Sequence, residues 1–399
     1  MTWSAVIPTI GRPSLAACLA ALADGVRAGG PSPAEVIVID DRPLTECGRL
    51  PVDVPPELHV RVEYGCGNGP AAARNLGWRS ATTPWVAFLD DDVIPTPTWT
   101  TDLAADLSRA DAATGAVAGL IVVPLPGGRR PTDAERNTAG LAESKWITAD
   151  IAYRKAALEA VGGFDERFRR AFREDADLAL RVQDAGWSLV TGQRVTTHPV
   201  RPEGPLASVR AQAGNADDVL MTRLHGPTWW DRAEAPRGRF TRHTVLTVAA
   251  TTALGLATAA ALPSRRRRRA TTRLASGASR GHAGRGAGFR WGAGIAAAVW
   301  AAGTAEFALA RIAPGPRTRR EVATMVATSI LIPPTAVAHH VRGRWHHRNP
   351  TPWSGIPAAG GSHDRTATDP AAGGPAPGAR AAGESAASGS AADAAEVAR

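Results

Sequence analysis

Cysteine is scarce in this sequence, and no export signal is recognisable at its start. The 399 residues include three cysteines, Cys18, Cys47 and Cys66, which have neither a CxxC spacing nor the spacing of a metal site. A sparse, odd set argues against a secreted domain held together by disulfides and favours a reducing compartment. The first residues, MTWSAVIPTIGRP, lack a basic stretch followed by an apolar one. We therefore expect a cytoplasmic protein.

Charge is distributed unevenly along the chain. Hydrophobic residues make up 44% and charged residues 21%, a composition that excludes a wholly disordered chain. Residues 1–240 hold 26 Lys and Arg against 30 Asp and Glu, whereas residues 241–399 hold 20 against 7, so the net charges are −4 and +13. We predict three regions: an α/β domain over 1–240, an Ala- and Arg-rich helical region over 241–345 and a disordered low-complexity tail over 346–399.

The first 240 residues alternate β-rich runs with helical stretches rich in Ala and Leu. This alternation is typical of an α/β domain with a largely parallel sheet. We predict strands over residues 4–10, 35–41, 85–92 and 188–195. We predict helices over 14–26, with Ser14 as N-cap, and over 70–81, with a proline in the first turn.

Two of the predicted strands end in carboxylates. EVIVIDD ends at Asp40 and Asp41, and WVAFLDDD ends at Asp90, Asp91 and Asp92. Ligands of open α/β sheets bind beyond the carboxyl ends of the strands, so both sets are expected at one site. Three crowded acids repel one another unless a cation neutralises them, and oxygen ligands suit Mg²⁺ or Mn²⁺. Asp90 and Asp92 are expected to face the site while Asp91 points away; without a site, the triplet is an acidic turn in solvent.

Further candidate residues lie between residues 162 and 198. Glu174 and Asp175 stand at the start of an amphipathic helix, where acids either interact with the helix dipole or supply a general base over a bound sugar. Gly163 marks a turn where a ligand or another backbone segment approaches closely. His198 follows a predicted strand, and is a metal ligand only if the fold brings it to Asp92.

Beyond residue 241 the sequence contains three apolar runs. They cover residues 244–262, 291–310 and 322–338, the last broken by Pro333 and Pro334. Each is near the length that crosses a bilayer, but their Ala, Thr and Gly content also suits soluble helices packed on the first domain. Residues 264–290 hold nine arginines and no acid, which indicates a cytoplasmic segment on anionic headgroups and a monotopic or re-entrant first run. A solvated linker and a nucleic-acid patch are the alternatives for this segment.

Six motifs in this order resemble the family 2 glycosyltransferases with the GT-A fold. They are VIPTIGRP, EVIVIDDRP, GPAAARNLGW, WVAFLDDDV, ITADIAYRKAALEAVGGFDERF and REDADLALRVQDAGW, and they cover residues 3 to 200. The resemblance implies a Rossmann-like mixed sheet flanked by helices. It also implies a metal-dependent, inverting transfer from a nucleotide-diphosphate sugar, with Mg²⁺ or Mn²⁺ bridging the diphosphate.

The resemblance assigns roles to individual residues of this chain. Asp175 resembles the catalytic base, and Asp92 and His198 resemble metal ligands. The residues expected to bind the nucleotide or donor are Thr9, Arg12, Asp40, Asp41, Arg74, Asp90 and Asp91. Those expected to meet the donor or acceptor sugar are Asp150, Gly163 and Glu174.

The expected partners follow from these assignments. They are a nucleotide-diphosphate sugar, a glycan or lipid-linked acceptor of cell-envelope or polysaccharide synthesis, and the inner face of the plasma membrane, with no specific nucleic acid. Two other functions stay open. One is a nucleotidyltransferase acting on sugar phosphates, which would show a phosphate loop richer in Gly, Arg and Lys than VIPTIGRP. The other is a catalytically inactive basic adaptor for membranes or nucleic acid, whose nucleic-acid binding would depend steeply on salt.

Overall fold

An eight-stranded mixed sheet forms the centre of the N-terminal part. The computed structural model describes residues 1–46, 48, 50–261 and 281–355. The strands are β1 Trp3–Thr9, β2 Glu35–Asp40, β3 Val60–Tyr64, β4 Trp85–Leu89, β5 Ile94–Pro95, β6 Thr114–Val122, β7 Asp150–Arg154 and β8 Ser188–Thr197. Their order is β3-β2-β1-β4-β7-β6-β8-β5. This confirms the predicted α/β class with a mixed sheet flanked by helices.

Strand direction changes once the sheet passes β4. The first four strands in the sheet, β3, β2, β1 and β4, are all parallel to one another. In the β1–β2 pair, the register runs from Ser4 opposite Glu35 to Thr9 opposite Asp40. β7 is antiparallel to both β4 and β6, β6 is parallel to β8, and β5 is antiparallel to β8. Parallel strands bring their carboxyl ends to one edge, so β1, β2 and β4 all end where the predicted site lies.

Nine helices precede the long C-terminal helices in the described part of the chain. They are α1 Ser14–Arg27, α2 Pro70–Ser80, α3 Trp99–Arg109, α4 Asp133–Ala139, α5 Lys155–Val161, α6 Glu174–Asp184, α7 Ala207–Arg210, α8 Asn215–His225 and α9 Trp229–Arg232. We call β1–β8 with α1–α9 the α/β region. One apolar layer packs α1 and α3 on one face of the sheet, and a second packs α2, α5 and α6 on the other.

Two local predictions differ from the structure. Helix α1 already includes Ser14, with Pro13 in the N-cap position and no side-chain cap, so the prediction of Ser14 as N-cap was wrong. Pro13 has a φ of −60°, which already suits a helix, and its side chain has no oxygen that could accept a hydrogen bond from the first turn. Strand β4 ends at Leu89 rather than at Asp92, because the chain turns there and leaves the sheet.

Three long helices follow the α/β region. They are α10 Phe240–Ala261, α11 Gly281–Ile312 and α12 Arg319–His346, and all three are long and apolar enough to cross a membrane by length and composition. The predicted break at Pro333 and Pro334 is absent, because α12 runs through both prolines while Ile332, Pro333 and Ala336 are buried against neighbouring elements. That packing offsets the backbone hydrogen bonds that proline cannot make.

Two predicted segments, the Arg-rich segment 264–290 and the tail 346–399, lie only partly within the described residues. Residues 262–280, which hold most of the arginines of segment 264–290, lie outside the described residues. So do residues 356–399 of the predicted tail. All described residues belong to one compact unit, Met1–Pro357, and residues 351–355 hydrogen-bond to the α/β region.

Candidate active site

Asp41 and Asp40 follow β2 and have different surroundings. The Asp41 carboxylate accepts hydrogen bonds from the backbone N–H groups of Asn68, at 2.9 Å, and Gly69, at 2.8 Å, just before α2. Burial raises the pKa of Asp41 against the effect of these donors. The Arg42 guanidinium donates two hydrogen bonds to Asp40, from Nε to Oδ1 at 2.8 Å and from Nη2 to Oδ2 at 2.6 Å. Burial alone would raise the pKa of Asp40, but the hydrogen bonds from Arg42 lower it.

Asp91 points away from its two neighbours, toward the loop after β1. The Thr9 hydroxyl donates to Asp91 Oδ2 at 2.6 Å, and Arg12 Nη1 donates to Oδ1 at 2.9 Å. Asp91 is buried, whereas Arg12 is partly exposed. These contacts tie the loop after β1 to the loop after β4, so Thr9, Arg12 and Asp91 form one group at the strand ends. Their contact with a nucleotide stays a prediction.

Asp90, Asp92 and His198 meet at the end of the sheet. One ligand atom from each of the three lies within 4.8 Å of the others, so this group has the donors to hold a metal ion. Asp92 Oδ1 lies 3.7 Å from His198 Nε2. His198 directly follows the last residue of β8. Its backbone N–H donates to the Val122 carbonyl at 2.8 Å, which extends the pairing of β8 with β6 by one residue and brings the side chain to this place.

The surroundings of Asp92 favour a positive charge nearby. Burial raises its pKa first, and the neighbouring Asp90 carboxylate raises it further. His198 and Arg201 oppose this increase, and Arg201 Nε stands 2.8 Å from Asp92 Oδ2. A buried carboxylate repelled by another carboxylate is stabilised by a nearby positive charge. Asp92 therefore gains from any cation that joins the group.

Arg74 links this group to the start of α6. Its buried guanidinium donates to Asp90 Oδ1 at 2.7 Å and to Glu174 Oε1 at 2.9 Å. Burial, reinforced by repulsion from Asp175, raises the pKa of Glu174 to about 8 despite the opposing charge of Arg74. Burial also raises the pKa of Asp175, against the Ala176 N–H and the Arg74 charge. The first turn of α6 thus holds two carboxyl groups with raised pKa values, and Arg74 links one of them, Glu174, to Asp90.

Arg173 fixes the start of α6 and was not among the predicted site residues. Its backbone is left-handed, with φ of 76°, which is unusual for a residue with a side chain. Its guanidinium lies 4.4 Å from the ring centroid of Phe172, 4.8 Å from that of Trp229 and 5.0 Å from that of Trp230. Its Nε also donates to Asp218 at 2.9 Å. Cation–π contacts and this ion pair hold the backbone conformation that presents Glu174 and Asp175.

Asp150 has structural contacts inside the sheet. Its carboxylate accepts from Trp99 Nε1 at 2.6 Å, from Arg194 Nε at 2.7 Å and from the Thr196 hydroxyl. Its side chain is fully buried, and a Cβ on Gly119 would stand 2.4 Å from it. Contact between Asp150 and a sugar stays a prediction, which would require these internal donors to be shared or displaced.

Gly163 closes helix α5 rather than lining an open surface. It is left-handed, with φ of 73°, and a Cβ there would lie 2.4 Å from Asn75 Oδ1 and 2.5 Å from Trp78 Nε1. Its carbonyl accepts from Arg181 of α6 at 2.8 Å. The predicted close approach of another segment is present, and contact with a sugar stays a prediction.

A cavity of about 790 Å³ is lined by the loop that follows His198. Its walls are the first turn of α4, the loop 200–205 that follows His198, and the first turn of α12. Arg201 lines this cavity and also contacts Asp92, so the cavity and the candidate metal group share a residue. Neither Arg201 nor the cavity was predicted, because nothing in the spacing of the loop indicates its partners.

Similarity to known proteins covers the part of the chain that carries most of these residues. Residues 4–160 match the sequence profile described as "Glycosyl transferase family 2". The "Pre-mycofactocin glycosyltransferase" of Mycobacterium tuberculosis is 36% identical over 132 residues, which are 30% of this chain and 27% of that protein. The chain thus matches about a quarter of the length of this relative.

Solved structures resemble the chain over a longer stretch but more distantly. "Mannosyltransferase PcManGT from Pyrobaculum calidifontis in complex with GDP-Man and Mn2+" covers 86% of this chain and 87% of its own, with a TM-score of 0.46 and 19% identity. The "S. aureus TarS 1-349 in complex with UDP-GlcNAc" structure covers 87% and 92%, with a TM-score of 0.36 and 15% identity.

Proposed function

We propose that this chain, whose residues 4–160 belong to glycosyl transferase family 2, transfers a sugar from a nucleotide-diphosphate sugar to an acceptor hydroxyl with inversion. What supports this function most directly is the meeting of Asp90, Asp92 and His198 with the first turn of α6 at one end of the sheet. That arrangement combines a cation site, which suits a diphosphate, with a carboxylate that suits proton transfer.

The donor nucleotide would lie along the ends of β1, β2 and β4. Asp41 is fixed by backbone donors before α2, and Asp90 is oriented by Arg74. We propose that Asp41 contacts the base or ribose and that Asp90 contacts the ribose. Arg12, which is partly exposed beside Asp91, would contact the nucleotide from the loop after β1.

Asp92 and His198, with Asp90, would hold a divalent cation, Mg²⁺ or Mn²⁺. Two carboxylates and one imidazole are donors that suit these ions, and the raised pKa of Asp92 fits a group that a cation stabilises. A cation held there would neutralise the diphosphate as it departs. Arg201, whose Nε lies 2.8 Å from Asp92 Oδ2, would supply a second positive charge near the same leaving group.

Asp175 would act as the general base. It stands at the start of α6, and burial raises its pKa toward the range in which a carboxylate accepts a proton well. In the transfer, Asp175 takes the proton of the acceptor hydroxyl while that oxygen attacks the anomeric carbon from the face opposite the nucleotide. Burial and repulsion from Asp175 raise the pKa of Glu174, so a proton on Glu174 would lessen the repulsion between these two carboxyl groups.

The acceptor would reach the site from the cavity that Arg201 lines. This cavity adjoins the first turn of α12, one of the three helices long and apolar enough to cross a membrane. A glycan or lipid-linked acceptor at the inner face of the plasma membrane fits that position. We accordingly assign catalysis to residues 1–240 and membrane attachment to residues 241–345, with residues 346–399 as a tail.

A thermal-shift screen tests donor binding on the full chain. Nucleoside diphosphates and their sugars are added with and without Mn²⁺, and we expect one nucleotide to raise the melting temperature more strongly with Mn²⁺. Asp92→Asn should lose the Mn²⁺-dependent part of the shift. Asp53→Asn is the control, because Asp53 is exposed and is not one of the site residues, and this variant should keep the full shift. If no nucleotide changes the melting temperature, the proposed donor site is wrong. Analysis of the reaction products is a separate test: release of pyrophosphate instead of a nucleoside diphosphate would indicate nucleotidyl transfer.

A further inference from the structure

Both ends of helix α12 are fastened to the α/β region. At its start, the Glu321 side chain accepts a hydrogen bond from the backbone N–H of Asp133 at 2.8 Å. Near its end, Gly343 packs so closely on α8 that a Cβ there would lie 2.8 Å from the Cα of Ala216. Asp133 begins α4 and Ala216 lies in α8, so α12 extends along the α/β region from one of these helices to the other.

The segment after α12 returns to the same region. The Thr351 carbonyl accepts a hydrogen bond from Arg167 at 2.9 Å, and the Trp353 indole donates to the Gly162 carbonyl at 2.9 Å. Gly162 follows α5, and Arg167 lies in the connection between α5 and α6. The chain therefore enters and leaves α12 in contact with one folded region.

This attachment is incompatible with a helix that crosses a bilayer. α12 has 28 residues, so it is about 42 Å long at 1.5 Å per residue. A crossing helix carries its ends to opposite sides of a hydrocarbon core about 30 Å thick. Helices α4 and α8, which contact the two ends, both belong to the α/β region, so a crossing α12 would require that region to extend through the hydrocarbon core. We infer that α12, although apolar enough to span, lies along the membrane surface.

The surface of α12 has two apolar faces on opposite sides. The buried face consists of Met325, Thr328, Ser329, Ile332, Pro333, Ala336 and Gly343. A second stripe points outward, with exposed fractions of 44% at Val326, 41% at Ile330, 59% at Val341 and 66% at Trp345. Its spacings of 4, 11 and 4 residues are close to whole helical turns, so these side chains lie on one side. The outward stripe is what a membrane interface would cover.

Exposed arginines stand at both ends of this outward stripe. Arg319 and Arg320 precede it, and Arg342, Arg344 and Arg348 accompany or follow its last residues. The Arg348 guanidinium lies 4.6 Å from the ring centroid of Trp345. Arginines near a membrane surface attract anionic headgroups, and tryptophan favours the same depth. These charges select one occupant for the stripe: a leaflet that contains anionic lipid.

Helix α11 contacts the α/β region near its last residues, where Arg311 donates to Asp133 at 2.6 Å. Farther from that end, α10 and α11 pack on each other, with Gly303 against Leu246 and Gly292 against Leu256. Only 6% of the apolar window of α10 and 17% of that of α11 is buried, against 33% for α12. Within the described part of the chain, these two helices are the ones left to enter the bilayer deeply, with α12 at its surface.

Cysteine labelling of the full chain in sealed membrane vesicles tests the position of α12. Exposed Cys66 of the α/β region is the internal reporter for the side on which that region lies. Arg319→Cys and Arg348→Cys add one exposed thiol at each end of α12. A membrane-impermeant maleimide is applied to vesicles of both orientations, and labelling of each cysteine is read by peptide mass spectrometry. We expect both new cysteines to be labelled from the same side as Cys66; labelling of Arg348→Cys from the opposite side would overturn the inference.

A second labelling experiment identifies what covers the outward stripe. Val341→Cys is placed in the purified full chain and labelled in detergent-free vesicles of neutral lipid or of neutral lipid with anionic lipid. We expect slower labelling than for Arg348→Cys, with the difference larger in anionic vesicles. If Val341→Cys is labelled as fast as Arg348→Cys in both kinds of vesicle, the face is uncovered and the inference is overturned. So would protection that depends on protein concentration rather than lipid, because a second copy would then cover the stripe.

Discussion

Two clusters of acidic and basic side chains adjoin the same sheet and differ in how fully their polar atoms are paired. The inner cluster joins Asp150 and Asp106 to Arg194, and all three side chains are fully buried. Internal donors bond to both oxygens of Asp150, and the backbone N–H of Gln193 donates to both oxygens of Asp106. The edge cluster joins Asp90, Asp92, Arg74, Glu174, Asp175 and His198.

The edge cluster is incomplete. Among the described residues, Glu174 Oε2 has no hydrogen-bond partner although it is buried. The pKa values of Glu174, Asp175 and Asp92 are all raised, with burial as the largest cause. An unsatisfied buried polar atom costs about 1–3 kcal/mol, so its persistence needs a reason beyond folding. The inner cluster is therefore paired within the fold, whereas the edge cluster keeps a buried oxygen of Glu174 that no described residue pairs, as our proposal of a ligand there would require.

The largest expected effect is on turnover, at the edge cluster. Asp175→Asn should lower the transfer rate by about 10²–10⁴-fold, roughly 3 to 5 kcal/mol of barrier, because the amide cannot accept the proton. Donor binding, measured by thermal shift, should persist. Asp184→Asn, at the exposed end of the same helix, is the matched control and should keep its activity. Near-normal transfer by Asp175→Asn would refute its role as base.

The inner cluster should respond in stability. Asp150→Ala leaves Arg194 buried without its closest carboxylate, so we expect a loss of about 3–5 kcal/mol in the free energy of unfolding. Denaturant unfolding of the full chain in detergent measures this loss. Asp53→Ala, at an exposed position, should change the unfolding free energy by less than about 0.5 kcal/mol. A stable Asp150→Ala variant with impaired sugar transfer would instead place Asp150 in the site.

A pH dependence should distinguish the clusters further. The pKa of Glu174 is about 8 in the folded chain, against 4.5 ordinarily, so the folded state binds an extra proton between these values. Stability contributed by this group is therefore present at low pH and lost as pH rises toward about 8. Glu174→Gln should flatten the fall of melting temperature over this range. An unchanged slope in the variant would show that Glu174 does not titrate there.

The smallest expected effect concerns Arg201. Because its guanidinium contacts Asp92 from a half-exposed position, it competes with a cation for that carboxylate. Arg201→Gln should tighten Mn²⁺ binding by up to about fivefold, the range of an exposed ion pair. Titration calorimetry on the full chain measures this, with Arg223→Gln of α8 as an exposed control. Weaker Mn²⁺ binding in Arg201→Gln would mean that Arg201 supports the cation rather than competing with it.

Much of the candidate site followed from the ends of strands. The structure brings Asp90 and Asp92 together and turns Asp91 toward Thr9, as the alternation of side chains predicted. It also brings His198 to Asp92, the condition on which its prediction as a metal ligand depended. The partners of these residues could not be predicted. Arg201 and Arg173 act through contacts with residues far away in sequence, and no local period or spacing records such contacts. The same holds for Asp150, whose buried partners come from β8 and α3.

The sequence by itself determined the α/β class, the strands that end in acids, and the presence of long apolar helices, because hydrophobic period and residue type act locally. Tertiary structure alone decided which carboxylates are satisfied and which are left open, since that depends on how distant segments close around them. It also decided the course of α12. Its composition suits a membrane span, but the contacts at both ends hold it against the α/β region.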